Sequence, residues 1–366
     1  MTRPDDARWM AAALALGRRG QGRCAPNPAV GCVIVADGRV VGRGRTADGG
    51  RPHAETVALA QAGDAARGAA AYVTLEPCAH HGATPPCAGA LAAAGVARVV
   101  VALRDPDPRV DGGGLARLRA AGVEVVEGVG ADAAARDLSG FLSRVTRGRP
   151  ALTLKLATTL DGRIATASGE SRWITGAAAR AHVHAQRARH DAVMVGAGTL
   201  RADDPLLTVR GMGDVPQPAR VVLSRRLDLP PGRMEAGAGK VPMHVLYGSS
   251  PDPTAHARLT AAGAIPTEVA EGDGGLDPQA VMSALGDLGF TRVYCEGGGT
   301  LAAALLRAGL VDRLDHYVAG AAIGAEGVPG VGPLALAALA DAPRLELVDV
   351  RRIGADALLR WKAKSS

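Results

Sequence analysis

A chain of 366 residues is long for one hydrophobic core, so two domains are expected. The formal charge of +6 and pI near 9.4 would allow nucleic-acid binding, yet aromatics make up only 2% and no Lys/Arg run exceeds a pair. With Lys only at Lys155, Lys240, Lys362 and Lys364, the positive charge is nearly all arginine, which fits anionic small-molecule substrates better than nucleic acid.

In chain order, Asp5 and Asp6 can cap a helix over Ala7 to Gly17, and Ala25-Pro26-Asn27-Pro28 forms a rigid turn into a strand. Asn27, fixed between two prolines, is a candidate substrate contact. Val30 to Ala36 and Arg39 to Gly44 form a hairpin through Asp37-Gly38, followed by a helix carrying His53 and Glu55 to about Ala62. Strands at Ala71 to Leu75, Val96 to Leu103 and Val123 to Val126 then alternate with helices after Pro86 and from Leu115 to Ala121. That alternation predicts a three-layer α/β domain.

The stretch from His53 to Cys87 carries the chemistry. One His and two Cys, with a non-ligand Glu two residues after the His, form the donor inventory of a catalytic zinc site, which keeps its fourth position for water. His53, Cys78 and Cys87 are the expected ligands, and Glu55 is the expected proton shuttle. The pattern H-x-E followed by P-C and a second Cys marks zinc-dependent nucleobase deaminases, although here the cysteines are nine residues apart rather than three. His80 and His81 compete as ligands and are read instead as substrate-facing or surface residues. The loop Asp105-Pro106-Asp107-Pro108-Arg109 with Gly112-Gly113-Gly114 would either hold a phosphate or merely connect two elements. The five cysteines suggest no disulfide framework, and neither a signal core at Met1 to Asp6 nor a membrane-length apolar stretch is present, so a cytoplasmic enzyme is expected.

Arg, Gly and Pro near Thr146 to Pro150 mark a boundary, giving domains 1–147 and 148–366. The second half restarts with a strand from Ala151 to Ala157, and a charge there, Lys155, indicates an edge or a site. Thr175 is expected to cap the next helix, and His182, His184 and His190, which no second acidic or thiol partner accompanies, are read as ordinary helix residues. The strand Asp191 to Val195 runs into Gly196-Ala197-Gly198-Thr199, and Arg292 to Cys295 runs into Glu296-Gly297-Gly298-Gly299-Thr300. Two strand ends with glycine turns predict a nucleotide crevice at the carboxyl edge of a sheet. The strand Ala219 to Leu223 ends in Ser224-Arg225-Arg226, where an arginine would favour NADPH over NADH. Gly211 to Gln217 and Gly232 to Lys240 read as loops, and Arg344 to Val350 with Ala357 to Trp361 as a terminal hairpin.

Over its whole length the chain resembles the bifunctional deaminase/reductases of riboflavin biosynthesis. The resemblance rests on Pro26-Asn27-Pro28, His53-Ala54-Glu55, Thr74-Leu75-Glu76-Pro77-Cys78, Thr84-Pro85-Pro86-Cys87 and Asp105-Pro106 in the first half. In the second it rests on Lys155-Leu156, Leu160-Asp161-Gly162-Arg163, Ser168-Gly169-Glu170-Ser171, Trp173-Ile174-Thr175, Arg201 to Pro205, Leu207 to Arg210 and Glu296-Gly297-Gly298. The long gap between the cysteines is typical of that family. It implies a cytidine-deaminase-like α/β/α domain that uses Zn2+ to deaminate a phosphorylated diaminopyrimidine. A dihydrofolate-reductase-like α/β domain would then use NADPH to reduce its ribosyl group to ribityl. By the same resemblance Ala157, Trp173, Thr199, Asp203 and the turn Gly298-Gly299-Thr300 would touch the cofactor, beside Arg225, which is expected there from its place at the end of a strand. Ser171, Arg187, Leu207, Arg210 and Glu296, with Lys155, would touch the sugar phosphate substrate. A homo-oligomer, dimer or tetramer, without nucleic-acid or membrane partners is expected. The rival readings are an RNA-editing deaminase with a nucleic-acid-binding second domain, and a zinc-stabilised module without turnover.

Overall fold

The computed structural model describes residues 2–79 and 85–364. The chain divides into two units, Met1–Gly148 and Arg149–Ser366. The first runs α1 (Asp6–Arg18), β1 (Gly31–Ala36), β2 (Arg39–Arg45), α2 (Ala54–Ala62), β3 (Ala70–Val73), α3 (Cys87–Ala93), β4 (Arg98–Val101), α4 (Gly113–Ala120), β5 (Glu124–Glu127), α5 (Ala131–Asp137) and α6 (Ser139–Arg147).

Its five strands lie in the order β2-β1-β3-β4-β5, with β1 antiparallel to both neighbours and the last three parallel. Asp37 and Gly38 both take positive φ, as a two-residue hairpin requires. Side-chain alternation gives the sheet two apolar faces. Cys32, Ile34 and Val73 pack with Ala54, Ala58, Leu91 and Leu118, whereas Val33, Val35, Tyr72 and Val100 pack with Met10, Ala13 and Leu14. Three layers result. Glycines decide how close α2 sits, because a Cβ at Gly42 or Gly44 would strike the Ala58 or Ala54 carbonyl. At the β4 start the buried Arg98 donates to Asp6 at 2.7 and 2.9 Å, and Tyr72 adds a hydrogen bond to Asp6 at 3.0 Å.

The second unit runs β6 (Ala151–Thr159), β7 (Arg163–Ala165), α7 (Ala177–Arg187), β8 (Ala192–Gly196), α8 (Ala197–Asp203), β9 (Ala219–Leu223), α9 (Arg233–Ala236), β10 (Met243–Tyr247), α10 (Pro253–Ala261) and β11 (Ile265–Glu268). It continues through β12 (Glu271–Gly272), β13 (Gly275–Leu276), α11 (Pro278–Asp287), β14 (Arg292–Cys295), α12 (Gly299–Arg307), β15 (Arg313–Ala319), β16 (Val328–Pro329), β17 (Leu345–Ile353) and β18 (Asp356–Ala363). The nine-stranded sheet has the order β11-β10-β9-β8-β14-β6-β15-β18-β17. It is parallel from β11 to β15, and the terminal hairpin β17-β18 adds two antiparallel strands. The chain leaves β6, passes over one place to β8, builds outward to β11, and then returns to insert β14 between β8 and β6. That insertion is the reversal of strand order at which α/β sheets open a crevice.

Two local expectations change. Helix α7 is capped at Gly176, whose amide donates to Asp356 Oδ2 at 2.7 Å, rather than at Thr175. The segment Gly232 to Lys240 contains α9, tied to the sheet by the buried Arg220, which donates to the carbonyls of Met234 and Gly237 at 2.9 Å each and to that of Val241.

Candidate metal centre and reductase site

His53 is the extended residue preceding α2, Cys87 is the first residue of α3, and Cys78 directly follows Pro77 in the segment after β3. These positions aim three soft donors at one point. His53 Nδ1 lies 3.8 Å from Cys78 Sγ and 3.4 Å from Cys87 Sγ, and the three donors lie within 4.8 Å of one another. Tetrahedral zinc with bonds of about 2.0–2.3 Å separates its donors by roughly 3.3–3.8 Å, so the set fits that ion. The Cys87 amide donates to Cys78 Sγ at 3.3 Å. Hydrogen bonding from Cys87, and then from His53, holds the Cys78 thiol down to about 4, while the Cys87 partner is pushed up by the same contact.

Glu55 sits in the first turn of α2 and is buried. Burial pushes its carboxyl up to about 7, partly offset by a backbone hydrogen bond and the His53 charge. Asn27 Nδ2 donates to the Gly50 carbonyl at 2.8 Å, which pins the amide, and Gly50 has positive φ with no room for a Cβ against Asn27. His80 and His81 lie outside the described residues.

The loop before α4 is not an open phosphate cradle. The amides of Gly112, Gly114 and Leu115 are taken by the buried Glu76 carboxylate, and Arg109 is folded onto Asp107. An internal anion already uses the glycine amides.

In the second unit, Glu296 stands just past β14. Arg187 from α7 grips it in a two-pronged bond at 2.6 and 3.0 Å, and Lys155 Nζ from β6 approaches to 3.9 Å. Burial would raise the Glu296 carboxyl, but Arg187 and Lys155 outweigh it and hold it below the usual value. Burial lowers Lys155, partly countered by Glu296. Arg187 also donates to the Thr208 carbonyl at 2.9 Å, and His184 Nδ1 lies 3.1 Å from that carbonyl and accepts from the Arg210 amide at 3.2 Å. His184, passed over as an ordinary helix residue, therefore helps hold the Leu207–Arg210 segment. No sequence signal marks it, because its role depends on a distant loop.

The two glycine turns are neighbours: a Cβ at Gly298 would lie 3.8 Å from Thr199 Oγ1. Gly299 is a glycine because a Cβ would lie 2.6 Å from the Pro329 carbonyl, and Thr300 follows it, exposed, in α12. Trp173 is 69% exposed and carries the Arg180 guanidinium 4.4 Å above its ring, while neighbouring Arg172 reaches the Asp203 carbonyl at 3.5 Å. The carboxylate of Asp203 acts electrostatically on Lys155. Ala157 pairs with Tyr317 beneath α7, and Ser171 is half-buried. Leu207 has positive φ and sends its side chain into the core with Val195 and Val222. Arg225 lies apart, 4.0 Å from Glu271.

Two units of one chain, the first with a thiolate–imidazole metal set and a buried Glu and the second with glycine turns at a sheet's switch point, define a zinc deaminase and a nicotinamide-dependent reductase carried on a single polypeptide. Residues 3–103 match the cytidine and deoxycytidylate deaminase zinc-binding region, and residues 150–359 match the RibD C-terminal domain. The riboflavin biosynthesis protein RibD of Escherichia coli is 43% identical over 97% of this chain and 98% of its own length, and that of Bacillus amyloliquefaciens 39% over 95% and 94%. Among solved structures, Acinetobacter baumannii RibD superposes with a TM-score of 0.89 at 40% identity, covering 99% of each chain. A diaminohydroxyphosphoribosylaminopyrimidine deaminase/5-amino-6-(5-phosphoribosylamino)uracil reductase from Thermotoga maritima gives 0.86 at 32%, covering 98% of this chain and 99% of its own. The chain belongs to the RibD family, the bifunctional zinc deaminases and NADPH-dependent reductases of riboflavin biosynthesis.

Proposed function

We propose that unit one, within residues 1–147, deaminates 2,5-diamino-6-ribosylamino-4(3H)-pyrimidinone 5′-phosphate, and that unit two, within 148–366, reduces the ribosyl group of the product to a ribityl chain. The observation that carries the reading is the convergence of His53, Cys78 and Cys87 beside buried Glu55. Zinc on those three donors supplies Lewis acidity that makes water a nucleophile near neutral pH. Glu55 removes a proton from the attacking water and delivers it to the departing amino nitrogen, so the C–N bond breaks and ammonia leaves. The pinned Asn27 offers its carbonyl oxygen to the pyrimidine.

In the second unit NADPH supplies the hydride. Gly298, Gly299 and Thr300 at the start of α12, with Thr199, offer amides and a hydroxyl to its phosphates. Trp173, Ala157 and Asp203 line the same cofactor region, and Arg225 is assigned the 2′-phosphate. Arg187 and Lys155 hold Glu296 beside the sugar, and Ser171, Arg210 and the backbone of Leu207 take the substrate phosphate. Among the described residues no helix is long and apolar enough to cross a membrane. A cytoplasmic homo-oligomer acting on small molecules, without a nucleic-acid partner, completes the reading. The test is ammonia release coupled to NADPH consumption on the diaminopyrimidine substrate. Salt-dependent RNA binding without NADPH oxidation would refute it.

A further inference from the structure

Glu76 is only 3% exposed. Its carboxylate binds backbone. Oε2 accepts from the amides of Asp105 at 3.2 Å and Gly112 at 3.1 Å, and Oε1 from those of Gly114 at 2.9 Å and Leu115 at 3.2 Å. Four donors fill two oxygens. Three of them belong to the cap and first turn of α4, where unpaired amides and the helix dipole favour an anion.

Glu76 is two residues before Cys78. Between them, the Pro77 carbonyl packs on Gly114 so closely that a Cβ there would run into it. On its other side the segment is held by α3: Cys87 N donates to Cys78 Sγ at 3.3 Å and Ala88 N to the Cys78 carbonyl at 3.3 Å. The segment Glu76-Pro77-Cys78 is thus clamped between the amino ends of two helices, and the position of the sulfur depends on both.

We propose that Glu76 is a positioning residue that fixes Cys78 as a ligand, acting through the start of α4 rather than by touching metal or substrate. Hydrogen-bonded groups that orient metal ligands typically contribute about 10–100-fold to affinity. The proposal rests on the assignment of His53, Cys78 and Cys87 as ligands.

The experiment compares Glu76→Gln with the parent full-length protein. The amide retains the shape but turns an NH2 toward two backbone donors. Zinc affinity by chelator competition should fall by about 10–100-fold, and the cobalt-substituted protein should show a shifted thiolate-to-cobalt band, while NADPH oxidation on the deaminated substrate stays at the parent rate. Asp6→Asn, which breaks the buried contact with Arg98 on the other face of the sheet, serves as control: it should lower the unfolding midpoint but leave the cobalt band in place. If Glu76→Gln does not fold, Gly114→Ala, which pushes the same Pro77 carbonyl, should shift the band. Parent affinity and an unshifted band in the folded variant would overturn the proposal. Absence of any thiolate band in the parent would instead overturn the ligand assignment on which it rests.

Discussion

The two sites are built in opposite ways. The proposed metal centre draws its ligands from one stretch, His53 to Cys87, and each sits at the start of a helix or after a proline, so local backbone geometry aims it. The proposed reductase site gathers Lys155, Arg187, Thr199 and Glu296 from β6, α7, α8 and just past β14, and the sheet order β8-β14-β6 brings these elements together. The first site should therefore fail through single ligands, and the second should fade by degrees as contacts are removed.

The sharpest break is Cys87→Ala or His53→Ala, which should abolish zinc binding and deamination and leave the reductase at parent activity, as metal analysis and separate assays would show. Next, Glu55→Gln should retain stoichiometric zinc and lose about 10²–10⁴-fold in deamination, the usual contribution of a positioned acid–base group. Arg187→Ala should leave Glu296 buried without its main partner. That should lower stability by about 3 kcal/mol and weaken reductase kcat/KM, with little change in deamination.

A fourth prediction concerns pH. Hydrogen bonding from Arg98 holds the Asp6 carboxyl down to about 2, below its unfolded value of 3.8, so its contribution is present above pH 3.8 and is lost as pH falls toward 2. Asp6→Asn should flatten the acid limb of unit-one stability between those values. The smallest effect expected is from Arg225→Ala with Arg226→Ala, about tenfold in NADPH over NADH preference, because Glu271 lies 4.0 Å from Arg225 and competes with a phosphate for it. An unchanged preference would remove Arg225 from the cofactor site.

The same contrast explains what was legible in the sequence. The hairpin at Asp37-Gly38, the strands Ala219–Leu223 and Arg292–Cys295, and the metal set all follow from local signals: turn chemistry, apolar runs and donor spacing. The helices α5 and α6 and the strands β10, β11 and β15 carry no distinctive motif. The role proposed for Glu76 has no local signal because its partners, Asp105, Gly112, Gly114 and Leu115, lie beyond α3 and β4 in the chain. The glycine run at 112–114 reads equally as a phosphate loop or as a connection, and its amides do bind an anion, but that anion is the Glu76 carboxylate of the protein itself. Likewise Leu207 matched a substrate motif, whereas its side chain is core.

The most direct test of the central claim is a paired assay on Glu55→Gln: ammonia release from the diaminopyrimidine substrate and NADPH oxidation on the already deaminated product. Two independently built sites predict that ammonia release collapses while NADPH oxidation proceeds at the parent rate with zinc still bound. Deamination at the parent rate would contradict the account.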